Sequence, residues 1–198
     1  MKAHRIPTTR AALAALVLAL PSIAAAQADG DATLRPGKGR HAVGFSLGHT
    51  DFGAACGLLP GCDDGARYTR LVGRGMFSER WGAELGLLDT GRMDLGGGST
   101  RAHGVTLNVV RQLPLSQALS AYGKLGTTYG HTATSALPGS ALQAGGGRGF
   151  GLSYGAGVQW QLSSGLSAAL EWDSQGFRLA NGGTEPMRST RLGLQWRY

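Results

Sequence analysis

The sequence predicts an all-β fold: an eight-stranded antiparallel up-and-down transmembrane β-barrel. Three observations carry this. Apolar and polar residues alternate with period two over one segment after another, a pattern that helical proteins do not sustain. The connections between these segments alternate strictly between long and short. One face of the segments is apolar and edged with Trp and Tyr, while the other is made of Gly, Ser, Ala and Gln with isolated charges.

Eight segments follow in order. HAVGFSLGH (41–49) sets Val43, Phe45 and Leu47 against Ala42, Gly44 and Ser46. ARYTRLVGRGMF (66–77) alternates poorly, so its facing is open. WGAELGLLDT (81–90) sets Trp81, Ala83 and Leu85 against Gly82, Glu84 and Gly86. TRAHGVTLNVVR (100–111) sets Val105, Leu107 and Val109 against Gly104, Thr106 and Asn108. SAYGKLGTTYG (120–130) is the fifth. GFGLSYGAGVQWQL (149–162) alternates over its whole length, with Tyr154, Val158 and Trp160 on the apolar side. LSAALEWDSQGF (166–177) sets Leu166, Leu170 and Trp172 against Ser167, Glu171 and Asp173. RSTRLGLQWRY (188–198) is the eighth, with Leu192, Leu194, Trp196 and Tyr198 on one side. The expected long connections are 51–66, 91–99, 131–148 and 178–187; the short ones are 78–80, 112–119 and 163–165.

The composition of the two faces decides which is inside. A strand face in contact with water normally carries Lys, Glu and Thr. A face of very small residues with a few charges fits a narrow closed interior, and the aromatic-edged apolar face then fits lipid. Closure removes the sheet edges that lipid would not tolerate. Eight strands is the small limit at which side chains fill the interior. Glu84, Lys124, Glu171, Asp173, Arg191 and Arg197 are therefore expected to point inward, joined by Arg70 or Arg74. Buried charges are costly unless paired, so these should form an ion network across strands. A gated ion path would use the same residues.

The bulk numbers agree. Gly is 34 of 198 residues and charged residues are 16%, an odd balance for a soluble enzyme; 42% hydrophobic is too much for a disordered chain. The formal net charge of +7 owes part of its size to Lys2, Arg5 and Arg10. These precede the apolar run AALAALVLAL (11–20), then Pro21 and a row of small residues. This is the layout of a secretory signal peptide, expected over 1–26, with a flexible segment at 27–39 and the barrel at 40–198. Ten apolar residues are too few to span a bilayer as a helix. Without the three basic residues, 16 basic face 12 acidic ones, a mild +4. An exported chain of this charge excludes a nucleic-acid partner. Cys56 and Cys62, in CGLLPGC, read as an exported disulfide closing a small loop. A metal site would need more ligands nearby, and GGGRGFG (145–151) lacks the order and the following helix of a dinucleotide site. No cofactor is expected.

The order of these segments resembles that of OmpA-like outer-membrane barrel proteins. Residues 66–97, with AELG at 83–86, resemble the family's second and third strands. AYGKLG (121–126) resembles its fifth, and 151–173 its sixth and seventh joined by a tight turn. LGLQWRY (192–198) resembles its closing strand, which ends on an aromatic residue. The resemblance implies that Leu194, Trp196 and Tyr198 form the signal read by the barrel-assembly machinery. The family's frequent C-terminal peptidoglycan-binding domain has no counterpart in this sequence, so that anchoring role is not implied. What is implied is a monomeric barrel among outer-membrane lipid and lipopolysaccharide.

The function expected is non-enzymatic: an outer-membrane protein contributing to envelope integrity or to surface binding through its external loops. A small pore for ions or apolar solutes is the alternative. A third reading is a barrel-embedded enzyme acting on lipid A, which would need a His near the outer rim with Ser and an acid partner. His49, His103 and His131 are the candidates; no His-x-Ser pair accompanies them.

Overall fold

The computed structural model describes residues 40–52, 66–94, 98–137, 144–179 and 182–198. The expected signal peptide, the segment 27–39 and the Cys56–Cys62 pair lie outside the described residues. The described strands are β1 (His41–Phe52), β2 (Ala66–Met76), β3 (Trp81–Thr90), β4 (Met93–Asp94), β5 (Gly98–Pro114), β6 (Leu119–Ala136), β7 (Gly145–Gln161), β8 (Leu166–Arg178) and β9 (Thr184–Arg197). β4 is two residues long and continues the line of β3 along β5, through Met93↔Thr100.

Each long strand pairs antiparallel with its neighbours, in the order β3-β2-β1-β9-β8-β7-β6-β5, and a further β3–β5 pairing closes the ring. The fold is thus a closed, all-antiparallel eight-stranded barrel. The seam between first and last strands runs from Ala42↔Arg197 to Phe52↔Met187. At one rim the Tyr198 N–H donates to the His41 carbonyl at 3.0 Å.

The three tight turns share one construction, visible as FSERW (77–81), LSQAL (115–119) and LSSGL (162–166). In each, two successive backbone N–H groups donate to the carbonyl of the last residue, as Leu115 and Ser116 do to Leu119, both at 2.9 Å. The serine hydroxyl then accepts from the backbone N–H at the start of the next strand: Trp81 at 3.0 Å, Leu119 at 3.1 Å and Leu166 at 3.2 Å. The hydroxyl stands in for a missing backbone acceptor, as short polar side chains do in turns.

Strands run longer than the alternation indicates. β5, β6 and β7 hold 17, 18 and 17 residues. The expected loop at 131–148 is strand as far as Ala136 and again from Gly145, while 98–99 and 184–187 are strand as well. Likewise the expected turn at 112–119 shrinks to 115–118, because β5 continues through Pro114 at the rim, where a missing N–H costs no ladder bond. The outer extensions consist of Ser, Thr, Ala and Gly and so show no apolar period. They are held by cross-strand pairs such as Thr100–Thr134 at 3.0 Å and Ser99–Ser135 at 2.9 Å.

The faces are inverted relative to a water-soluble barrel. Phe45, Leu107, Leu125, Leu152, Leu170 and Leu192 lie on the outside and are exposed. Glu84, Thr106, Lys124, Ser153, Glu171 and Arg191 lie inside and are buried. On β7 the apolar band climbs ten residues from Trp160 to Phe150. At ~3.3 Å per residue and a tilt of ~40° that is roughly 25 Å, the height of the apolar band of a transmembrane barrel. The tight turns and both strand ends at His41 and Arg197 mark one rim as periplasmic, since short turns lie on that side. Inside the opposite, outer end sits an apolar cluster that includes Tyr68, Leu88, Met93, Phe177 and Met187. Gly130 makes room for it: a Cβ there would lie 2.3 Å from the Phe177 ring.

Candidate functional site

The middle of the barrel is filled by charge. β2 supplies Arg70 and Arg74, β3 Glu84, β6 Lys124, β8 Glu171 and Asp173, and β9 Arg191, all inward by strand phase and all buried. Glu84 is wholly buried and is the hub of one half. Arg70 Nη2 donates to its Oε1 at 2.8 Å, Arg74 Nε to its Oε2 at 3.0 Å, and Lys124 Nζ lies 3.3 Å from Oε1. Glu171 and Asp173 form the other half. Lys124 Nζ reaches Glu171 Oε2 at 2.9 Å and Asp173 Oδ1 at 2.8 Å. Arg191 pairs with both of these acids. Lys124 therefore joins the two halves.

Neutral groups complete the shell. The Tyr122 hydroxyl donates to Glu171, and the Arg74 guanidinium lies 4.5 Å from the Tyr122 ring centroid. Arg70 Nη2 also donates to Thr106 Oγ1 at 2.8 Å. Arg191 lies over the Tyr68 ring at 5.5 Å. Gly86 leaves room for this arrangement, since a Cβ would lie 2.5 Å from the Arg70 guanidinium and displace it. Four cations thus face three anions in a space walled off from water. Removing any one partner would leave an uncompensated charge buried among the rest.

Of the expected network, Glu84, Lys124, Glu171, Asp173 and Arg191 are brought together, and Arg197 is not. Arg197 shares the inward face of β9 but lies six residues below Arg191, roughly 20 Å along the strand. Among the described residues no acid is within ion-pair distance of it. It lines a cavity of about 350 Å³ at the periplasmic mouth, with Arg40, Gln112, Ser120 and Gln161. The facing of β2, left open by its pattern, is settled by register: Arg70 pairs with Leu88 and Arg74 with Glu84. Both arginines point inward. Tyr68 and Tyr122 carried no signal of their own beyond that phase. Leu194, Trp196 and Tyr198 face outward at the periplasmic rim and are exposed.

The three histidines lie on the outer surface near the external rim, not in the interior. His103 and His131 are directly opposed across β5 and β6, with rings stacked at 5.1 Å and 7°. The neighbouring acid, Asp89, is held by Arg101 at 2.7 Å. Among the described residues no serine or threonine hydroxyl hydrogen-bonds to any of these imidazoles, so no nucleophile–base–acid chain is assembled. No group of three or more metal-ligating side chains forms among the described residues.

Inverted faces, a closed ring and a charge-filled centre define a transmembrane β-barrel of the outer-membrane type. The chain belongs to the outer membrane protein beta-barrel domain family, whose model matches residues 12–197, and it is OmpA-like in strand number and order. Neisserial surface protein A shares the fold at a TM-score of 0.63 and 6% identity, over 82% of this chain and 99% of that one. Ail, the attachment invasion locus protein of Yersinia pestis, aligns at 0.51 and 19%, over 80% and 96%. The N-terminal barrel domain of OprF from Pseudomonas aeruginosa aligns at 0.51 and 13%, over 82% and 99%. These likenesses are of fold. Comparison with curated protein sequences gives no match. An outer-membrane location follows from the family.

Proposed function

We propose that this protein is a sealed, non-enzymatic outer-membrane barrel that contributes to envelope integrity and presents its external loops for surface binding. The observation that carries this is the filled interior. One void bordered by Arg70, Glu171 and Arg191 measures about 10 Å³, no more than one water. Above it lies the apolar cluster of Tyr68, Phe177 and Met187. A path for ions would have to cross both layers. The surface-binding part of the reading draws support from the names of two fold relatives, an attachment invasion locus protein and a surface protein.

The reading includes export through residues 1–26, a Cys56–Cys62 disulfide in the first external loop, and a monomer among lipid and lipopolysaccharide. It also assigns Leu194, Trp196 and Tyr198 to recognition by the assembly machinery. The test is single-channel recording in planar bilayers with the purified, folded protein. Absence of steps above baseline is the expected result; steady conductance would favour the small pore instead. The periplasmic cavity, with Arg40 and Arg197 at its wall, is the feature that favours that second reading.

A further inference from the structure

A basic patch stands on the lipid-facing surface at the outer rim. Across adjacent strands β5, β6 and β7, His103 pairs with His131 and His131 with Arg148. All three are exposed. Neither imidazole has a hydrogen-bond partner among the described residues, and Arg148 has no ion pair there. The nearest acid by register, Asp89, is already held by Arg101. At the periplasmic rim, by contrast, the outward Arg111 is stacked on Trp81 at 5.3 Å.

Directly below this patch lies an aromatic shelf. Tyr129 and Phe150 are opposed in register, their rings 4.9 Å apart, and both are exposed. Below the shelf the wall is aliphatic, with exposed Leu107, Leu125 and Leu152. Three unpaired donors over an aromatic step over an aliphatic wall match an amphiphile: an anionic head at the level of the patch and acyl chains lying down the strands. A soluble anion would use the donors but not the wall.

We propose that His103, His131 and Arg148 hold the phosphate of a lipid headgroup in the outer leaflet, with its chains packed below Tyr129 and Phe150. Arginine and imidazole N–H groups are strong donors to phosphate oxygens. The proposal rests on the outer-membrane reading, since it needs this rim to lie at the headgroup level of a phosphate-bearing leaflet.

The test uses the full chain purified as its compact unboiled form in a nonionic detergent. Diphosphoryl lipid A and its phosphate-free counterpart are the probes, and bound lipid is counted by native mass spectrometry. The wild type and Arg111→Gln are expected to retain the phosphorylated lipid by about tenfold over the other. The triple variant His103→Ala, His131→Ala, Arg148→Gln is expected to lose that preference; its changes are all on the exposed exterior, so the compact band should persist. Equal preference in the triple variant and the wild type overturns the proposal, as does an equal loss in Arg111→Gln. Failure of the barrel reading shows itself separately, as a wild-type chain with no compact band before boiling.

Discussion

Glu84 shows how a single residue can carry an interior. It accepts from Arg70, Arg74 and Lys124 while wholly buried. Replacing it with Ala leaves three cations facing one another, with Glu171 and Asp173 the only buried acids near them among the described residues. Removal of one partner from a buried pair costs about 3–5 kcal/mol. Glu84→Ala should therefore lower the denaturant midpoint of the micelle-folded barrel, read by tryptophan fluorescence, by a corresponding amount. A change below about 1 kcal/mol would mean that water reaches the cluster and screens it. On the other face, Leu170 is exposed to lipid at mid-strand, opposite Val158 and Leu192. Leu170→Arg should cost about 2–4 kcal/mol in a bilayer, measured by equilibrium unfolding from liposomes. In the interior, by the same logic, the sequence marks phase and the phase marks partners: Glu84 and Glu171 could be placed because each sits among small residues on a clearly alternating strand.

Among the elements, β2 and β9 differ in how much their own pattern says. β9 alternates cleanly through Leu192, Leu194 and Trp196, and it pairs with β1 from Met187 to Arg197. Its last bond, from Tyr198 N–H to His41, ties the seam at the periplasmic rim. Deletion of Tyr198 should lower the amount of barrel recovered in the outer-membrane fraction, compared by immunoblot against the soluble fraction. Unchanged recovery would remove the closing-strand signal from the proposal. β2 hides its phase because Arg and Gly interrupt the apolar series, so its two inward arginines, Arg70 and Arg74, were placed only by pairing with β1 and β3. The outer parts of β5, β6 and β7 were invisible for a different reason. Above the lipid the outward face meets water, so no apolar alternation is selected, and Thr–Thr and Ser–Ser pairs hold the ladder instead.

At the scale of the whole molecule, closure is the governing fact. A ring of eight strands has no unpaired edge, so the folded form should resist detergent at room temperature and yield on boiling. Outer-membrane fractions run with and without boiling should show a compact band that converts to the full apparent mass on heating. A protein found in the soluble periplasm would mean that the apolar exterior is covered by something other than lipid. Closure also explains why a chain with so many buried ions can be stable. The lipid-facing band supplies the apolar transfer, and the interior is small enough that charges from five strands fall within bonding distance of one another.

Strand number, strand facing on the well-alternating segments and the inverted interior were all legible in the residues, because each is written as a local period or a local composition. Register, the extent of the strands, the isolation of Arg197 and the apolar cluster at the outer end were decided only by the tertiary structure. Those depend on how far each strand is staggered against its neighbours around a closed ring, and stagger is a property of pairs of strands, not of any one of them. The same stagger brings His103, His131 and Arg148, from three strands spread over some forty-five residues of chain, to one level on the outer wall.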